Sequence, residues 1–285
     1  MTSLPERTEK LSERLASTLD KLPKDPSPKF VHRLRTTIRR IESLVDYAQP
    51  ELGRKREKAL EKLTTLRKRA GRVRDLDVQR ELLKEIANGS TAADRQSLSF
   101  ALQQRRDKQS RRLLSACKKI AGSRFLSHVD RIVNKAVAAA TSTGRENPLA
   151  AARTRFSRLE TGFLGDVSPK PAQLHQVRIE MKKLRYIAEL AEESAEQQSF
   201  NAQLKAAQDA LGSWHDWQGL ARSVEKQFRN RMNCPLIVEA RALVAAKQTT
   251  ATALLRQLFA SRPEQPAGKR PRSVGIAPEL TRRAG

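Results

Sequence analysis

The stretch VHRLRTTIRR at residues 31–40 returns in altered form as LHQVRIEMKK at residues 174–183. Each opens on an apolar residue and a His, places Arg three residues after the His, and ends on two adjacent cations. Apolar residues fill the remaining helical positions: Val31, Leu34, Ile38, Ile41 and Val45 in the first copy, Val177, Met181, Leu184 and Ala188 in the second. That spacing is the 3.6-residue period of an amphipathic helix. On such a helix His32, Arg35 and Arg39 fall within an arc of about 60°, and the apolar row is centred more than about 100° away. His175, Arg178 and Lys182 repeat the cationic side. HRLRTTIRR holds five potential cations and no acid, whereas a solvated helix face gains stability from alternating charge signs. A face of like charges asks for an anion from outside.

The surrounding punctuation repeats too. SPK at 27–29 precedes the first stretch and SPK at 168–170 the second, a Ser cap with Pro in the first helical turn. After each comes a helix carrying Gly and then Asp four residues on, AGRVRDLDV at 70–78 and LGSWHDWQG at 211–219. Gly71 and Gly212 lie 141 residues apart, and His32 and His175 lie 143 apart. Several features in one order at nearly one offset imply an internal duplication.

The wider chain fits this reading. Helical periodicity continues through Leu11, Leu15, Leu19 and Leu22 and through Leu60, Leu63 and Leu66, while alternating strand patterns are missing. The expected fold class is all-α: two four-helix bundles related by internal duplication, whose cationic faces, if turned toward one another, would line a basic groove between them. The first half should use helices at 5–22, 29–48, 52–88 and 92–120, and the second helices at 148–164, 172–195, 198–230 and 235–261. SRFLSHVDRIVNKAVAAATSTG should form a connecting helix within a first unit of 5–145; the second unit spans 146–262, and the Pro-rich basic tail at 263–285 should be disordered.

Composition narrows the partner. Among 285 residues, Lys and Arg number 56 and Asp and Glu 31, for a formal charge of +25. Such a field gathers polyanions without stabilising a fold. Aromatic residues are only 4%, which speaks against a stacking platform for single-stranded bases. Cys117 and Cys234 lack metal-site or disulfide spacing, so a reducing compartment and no zinc are expected. MTSLPERTEKL has charges where a signal peptide needs an apolar run, and no run approaches the roughly 18 apolar residues of a membrane span. A cytoplasmic location without membrane contact is the expectation.

The two His stretches, each followed by its Gly and Asp element, resemble the CHAD domain, the histidine-bearing α-helical domain, over about residues 5–262. The resemblance implies a pair of four-helix bundles, related by a pseudo-twofold, that bind inorganic polyphosphate in the basic surface between them, and association with polyphosphate granules. Carried over position by position, it implies contacts from His32, Arg35, Arg39 and Arg40 in the first copy and from His175, Arg178, Lys182, Lys183 and Arg185 in the second. Arg74, Arg105, Arg112, Arg155 and His215 are candidate secondary contacts. Glu42 stands where the second copy has Arg185, so the halves are not equivalent there. Asp75 and Asp216 are expected to orient nearby Arg side chains rather than to bind metal, and Asp77, two residues on, should point elsewhere.

Polyphosphate offers no bases to read and needs only cations, Arg as a bidentate fork and Lys as a point charge. Duplex nucleic acid is the alternative partner, because Arg-rich helices also fit a duplex. An enzyme is a third reading. CHAD domains often accompany a triphosphate-processing domain marked by ExExK, but the chain contains no ExExK, no GxxxxGK[ST] and no HExxH. Non-catalytic binding without a cofactor is therefore the expected activity.

Overall fold

The computed structural model describes residues 4–22, 26–86, 92–120, 122–142, 144, 146–164, 169–231 and 234–260. The expected tail at 263–285 and Ser168 lie outside them. Among the described residues the chain is helical throughout: α1 (Leu4–Lys21), α2 (Pro28–Ala48), α3 (Arg54–Glu85), α4 (Ala92–Ile120), α5 (Ser123–Ala140), α6 (Pro148–Leu164), α7 (Pro171–Ala188), α8 (Ala195–Gln227) and α9 (Pro235–Ala260).

Local chemistry sets the boundaries. Pro28 opens α2 with Ser27 at the cap position, and Pro171 opens α7 with Lys170 at the cap position. The second helix therefore starts two residues after the Pro of its SPK, and the equivalent of Pro28 is Pro171. Both prolines stand four residues before the His, so the 143-residue offset holds from helix start to His. Gly53 precedes α3 at φ +69°, a left-handed conformation that a side chain would strain. Helix α7 ends at Ala188 rather than 195, because Ser194 caps α8 by accepting a hydrogen bond from the Gln197 amide at 3.1 Å.

Consecutive helices pack in the same order on both sides of α5: α1 on α2, α2 on α3 and α3 on α4, then α6 on α7, α7 on α8 and α8 on α9. Helix α5, the expected connector, packs against α1, α2 and α3. The most extensive helix pairings between the sides are α2 with α7 and α3 with α8. The larger apolar cluster draws on both sides of residue 145, from Leu11, Leu34, Ile38 and Leu63 to Met181, Leu211 and Trp214. Phe156, Phe200 and Phe259 complete it, with ring centroids 5.7 and 5.4 Å apart. A second cluster also mixes the two sides, joining Leu83 of α3 and Leu98 of α4 to Trp217 of α8 and Leu236 of α9. Burial of this kind makes the α3–α8 junction part of the core.

One buried ion pair ties α3 to α4. Asp77 accepts from Arg106 Nε at 2.8 Å, while Arg106 Nη2 donates to the Pro26 carbonyl at 2.8 Å. Asp77 thus points away from its neighbour Asp75, as the two-residue spacing requires.

Candidate functional site

Packing α2 on α7 turns their cationic sides toward each other instead of toward bulk water. Arg35 and Arg39 of α2 consequently share one electrostatic neighbourhood with Arg178 and Lys182 of α7. Asp75 of α3 and Asp216 of α8 enter the same cluster, each sensing Arg35, Arg178 and Lys182 as well as the other helix pair. Four cations from two repeated motifs thus face two carboxylates from the two Gly and Asp elements. The cluster keeps a positive excess.

The surroundings of each group are visible in its titration. Burial, followed by repulsion from Arg178, Arg35 and Arg39, lowers Lys182 to about 7. Arg39 is lowered to about 10, first by burial and then by Arg35 and Arg67. Desolvation pushes the Asp75 carboxyl above its ordinary value against the pull of Arg35 and Arg178, although Asp75 keeps solvent-accessible surface. Within the cluster, Arg39 Nε and Arg178 Nε are buried without a hydrogen-bond partner. Buried donors left unpaired are costly, and they are available to an incoming acceptor.

The two motifs meet at Gly71, where a side chain would still fit in ordinary van der Waals contact. Arg35 lies across α3 at that point, where a methyl group would meet its Nε at 3.8 Å. The second copy differs: a methyl on Gly212 would meet nothing within 4 Å. Arg178 turns inward instead, is 8% exposed, and lies 4.0 Å from Asp216. The cationic side of α7 is thus covered at Arg178, where α2 packs against it.

The histidines rim the cluster. His32, exposed, feels Arg74 and Arg35. His175 and His215 lie ring against ring, tilted by 40° with centroids 5.1 Å apart. Burial, then Arg178 and His175, lowers His215 to about 3, so it is a neutral ring at physiological pH. Arg222 adds a further cation beside both rings. Sequence reasoning missed it, although it lies seven residues after His215 and so on nearly the same helix face. Arg67, four residues before Gly71, was missed likewise; it pairs with Glu42, which also accepts from Thr64 Oγ1 at 2.7 Å.

Other expected contacts are spoken for or stand elsewhere. Arg40 and Arg185 share Glu189, Nε to carboxylate at 3.2 and 3.1 Å, in a triad that crosses the α2–α7 contact. Lys183 pairs with Glu180 at 2.9 Å and lines, with Arg39, Arg67 and Tyr186, a cavity of ≈ 520 Å³. Arg155 pairs with Asp46 at 2.9 Å, beside a separate cavity with Tyr47. Arg105 reaches Gln227 at 3.4 Å. Arg112 lies on the flank of α3 and α4 with Arg69. The structure does not bring Arg105, Arg112 or Arg155 into the α2–α7 cluster. No group of three His, Cys, Asp or Glu positioned to hold a metal occurs among the described residues, and no described helix is long and apolar enough to cross a membrane.

Comparison with known proteins places this arrangement. The crystal structure of the CHAD domain from the plant Ricinus communis superposes with a TM-score of 0.65 at 16% identity, covering 91% of each chain. PptA from Streptomyces chartreusis superposes with a TM-score of 0.52 at 17% identity, covering 89% of this chain and 97% of its own. A comparison with curated protein sequences gives no match. The CHAD domain profile matches residues 6–224, and the chain belongs to the CHAD domain family.

Proposed function

We propose that this protein binds inorganic polyphosphate, without turning it over and without a cofactor, along a basic groove where α2 and α3 meet α7 and α8. The observation that carries the reading is the convergence of Arg35 and Arg39 with Arg178 and Lys182 across the α2–α7 contact. Two halves related by internal duplication explain it: the same packing order recurs on both sides of α5, and the paired motifs come together by the pairing of α2 with α7 and of α3 with α8. A linear polyanion with a charge on each phosphate offsets the repulsion among those cations and satisfies the unpaired Nε donors. His32 and His175 add neutral N–H donors at the rim. The family's association with polyphosphate and the scarcity of aromatic rings point the same way, and cytoplasmic polyphosphate granules are the corresponding location.

Competition decides the partner. Fluorescent medium-chain polyphosphate bound to the protein is displaced by unlabelled polyphosphate and by duplex DNA matched in total charge. Polyphosphate should compete at least about tenfold better, a margin of roughly 1.4 kcal/mol. Equal or better competition by DNA transfers the site to nucleic acid. Release of phosphate during the same incubation with divalent metal makes the protein an enzyme instead.

A further inference from the structure

A second concentration of cations lies off the α2–α7 cluster, on the flank of the α3–α4 pair. Arg69 of α3 and Lys108, Arg111, Arg112 and Lys119 of α4 line one cavity of ≈ 430 Å³ together with Ser115, and no acid lines it. The α4 residues recur at intervals of three and four, the spacing of a single helix face. Arg69 is pinned across the gap by donating from Nη1 to the Arg112 carbonyl at 3.4 Å, which holds its guanidinium between the helices. None of the five cations takes part in an ion pair among the described residues. Elsewhere in this chain exposed cations find carboxylates nearby, as Arg241 does with Glu225 and Lys205 with Asp209. Here α3 supplies none, since residues 62–74 contain no acid. On α4 the neighbouring Asp107 accepts from Gln103 at 2.9 Å. Five like charges around a concavity raise the local potential and concentrate anions there.

We propose that this flank is a second binding site for phosphate polyanions, distinct from the α2–α7 cluster. At 100° per residue Arg69 and Asp75 stand about 120° apart around α3, so one ligand segment cannot lie against both. Exposed Arg72 falls midway, about 60° from each. It bridges the two sites over an arc of about 12 Å at the side-chain radius of a helix. Short anions should fill the sites separately and a longer chain should span them. The choice of phosphate as the probe rests on the function proposed above; the existence of the flank site does not.

Tripolyphosphate, too short to occupy both places, is the probe. Calorimetric titration of the full chain at low salt should show two sites. Lys108→Glu with Arg112→Glu should remove one of them or weaken it about tenfold or more, as expected from losing charge-assisted bonds, and should leave the other intact. Lys10→Glu with Lys21→Glu, an equal charge change on exposed positions of α1, should weaken neither more than about twofold, because distant exposed charges are screened. Circular dichroism checks that each variant is folded; Lys108→Gln with Arg112→Gln replaces any that is not. Equal losses in flank and α1 variants, or a single site in the parent protein that the flank change leaves intact, overturn the proposal. Arg35→Glu reads the other cluster: loss there alone defeats the flank site, and loss on the flank alone defeats the function proposed for the α2–α7 cluster.

Discussion

Binding of polyphosphate should weaken as pH rises through a range in which neither Arg nor the histidines titrate, because Lys182 does. Burial and its neighbours Arg178, Arg35 and Arg39 hold Lys182 at about 7 in the free protein, against an ordinary value of 10.5. A bound phosphate chain supplies negative charge beside the ammonium and returns its affinity for the proton toward the ordinary value, so binding takes up a proton. Affinity should then fall about tenfold per pH unit from roughly pH 7.5 to 9, below the range in which Arg39 titrates. His32, His175 and His215 are all lowered below 6.5 and stay neutral over that window. Folding responds with the opposite sign. The unfolded chain binds the Lys182 proton between about 7 and 10.5, so this group makes the unliganded protein more stable as pH rises. Weakened binding in that window therefore does not arise from the effect of Lys182 on folding, and circular dichroism at each pH checks that the protein stays folded. Calorimetric titrations at several pH values should be run on the parent and on Lys182→Arg, whose guanidinium keeps its proton throughout. Titration of the ligand itself is common to both and cancels. A flat profile in the parent, or the same slope in Lys182→Arg, refutes the placement of Lys182 against the ligand.

Three further outcomes follow from particular contacts. Affinity should fall steeply with salt, with a log–log slope on the order of −4 to −7 for about six to ten phosphate contacts; binding that is insensitive to salt contradicts direct phosphate contact. Arg178→Glu sets a second negative charge beside Asp216 in a buried place and should cost on the order of 3–5 kcal/mol in urea unfolding, whereas a loss below about 1 kcal/mol would mean that the guanidinium is free to swing out. Glu189→Gln releases Arg40 and Arg185 from partly exposed pairs, so stability should drop by about 1 kcal/mol and polyphosphate affinity should hold or rise; reduced affinity would show that the triad positions the site.

The helices were legible because their apolar rows are local. Val31, Leu34, Ile38 and Ile41 mark the buried face of α2, and all four are buried. Helix α4 matches its expected span of 92–120. Spacing also put His32, Arg35 and Arg39 on one side, and equally His175, Arg178 and Lys182. What spacing could not supply was the partner of each side. Only the crossings of α2 with α7 and of α3 with α8 make Arg178 an interior cation and draw Asp75 and Asp216 into one cluster. Glu189 was invisible for the same reason: its two guanidinium partners come from helices separated by more than a hundred residues. Arg67 and Arg222 were readable from the Gly71 and His215 rows, but a basic composition hides individual cations in a crowd. Ser and Pro signal a helix start without saying which of two nearby prolines begins it; the expected start at 172 lies one residue from Pro171, which opens α7.

The most direct measurement is a calorimetric titration of medium-chain polyphosphate into the folded parent, into Arg35→Glu with Arg74→Glu, and into Arg270→Glu with Arg272→Glu, at one stated salt concentration. Both double variants change the net charge equally, so long-range attraction is lowered alike in each. Loss of at least about a hundredfold in affinity in the first variant, set by two charge-assisted contacts, with a change of less than about threefold in the second, where only screened attraction is lost, is the expected result. Equal losses in the two folded variants would mean that polyphosphate meets a diffuse basic surface and that the paired His and Arg motifs form no site.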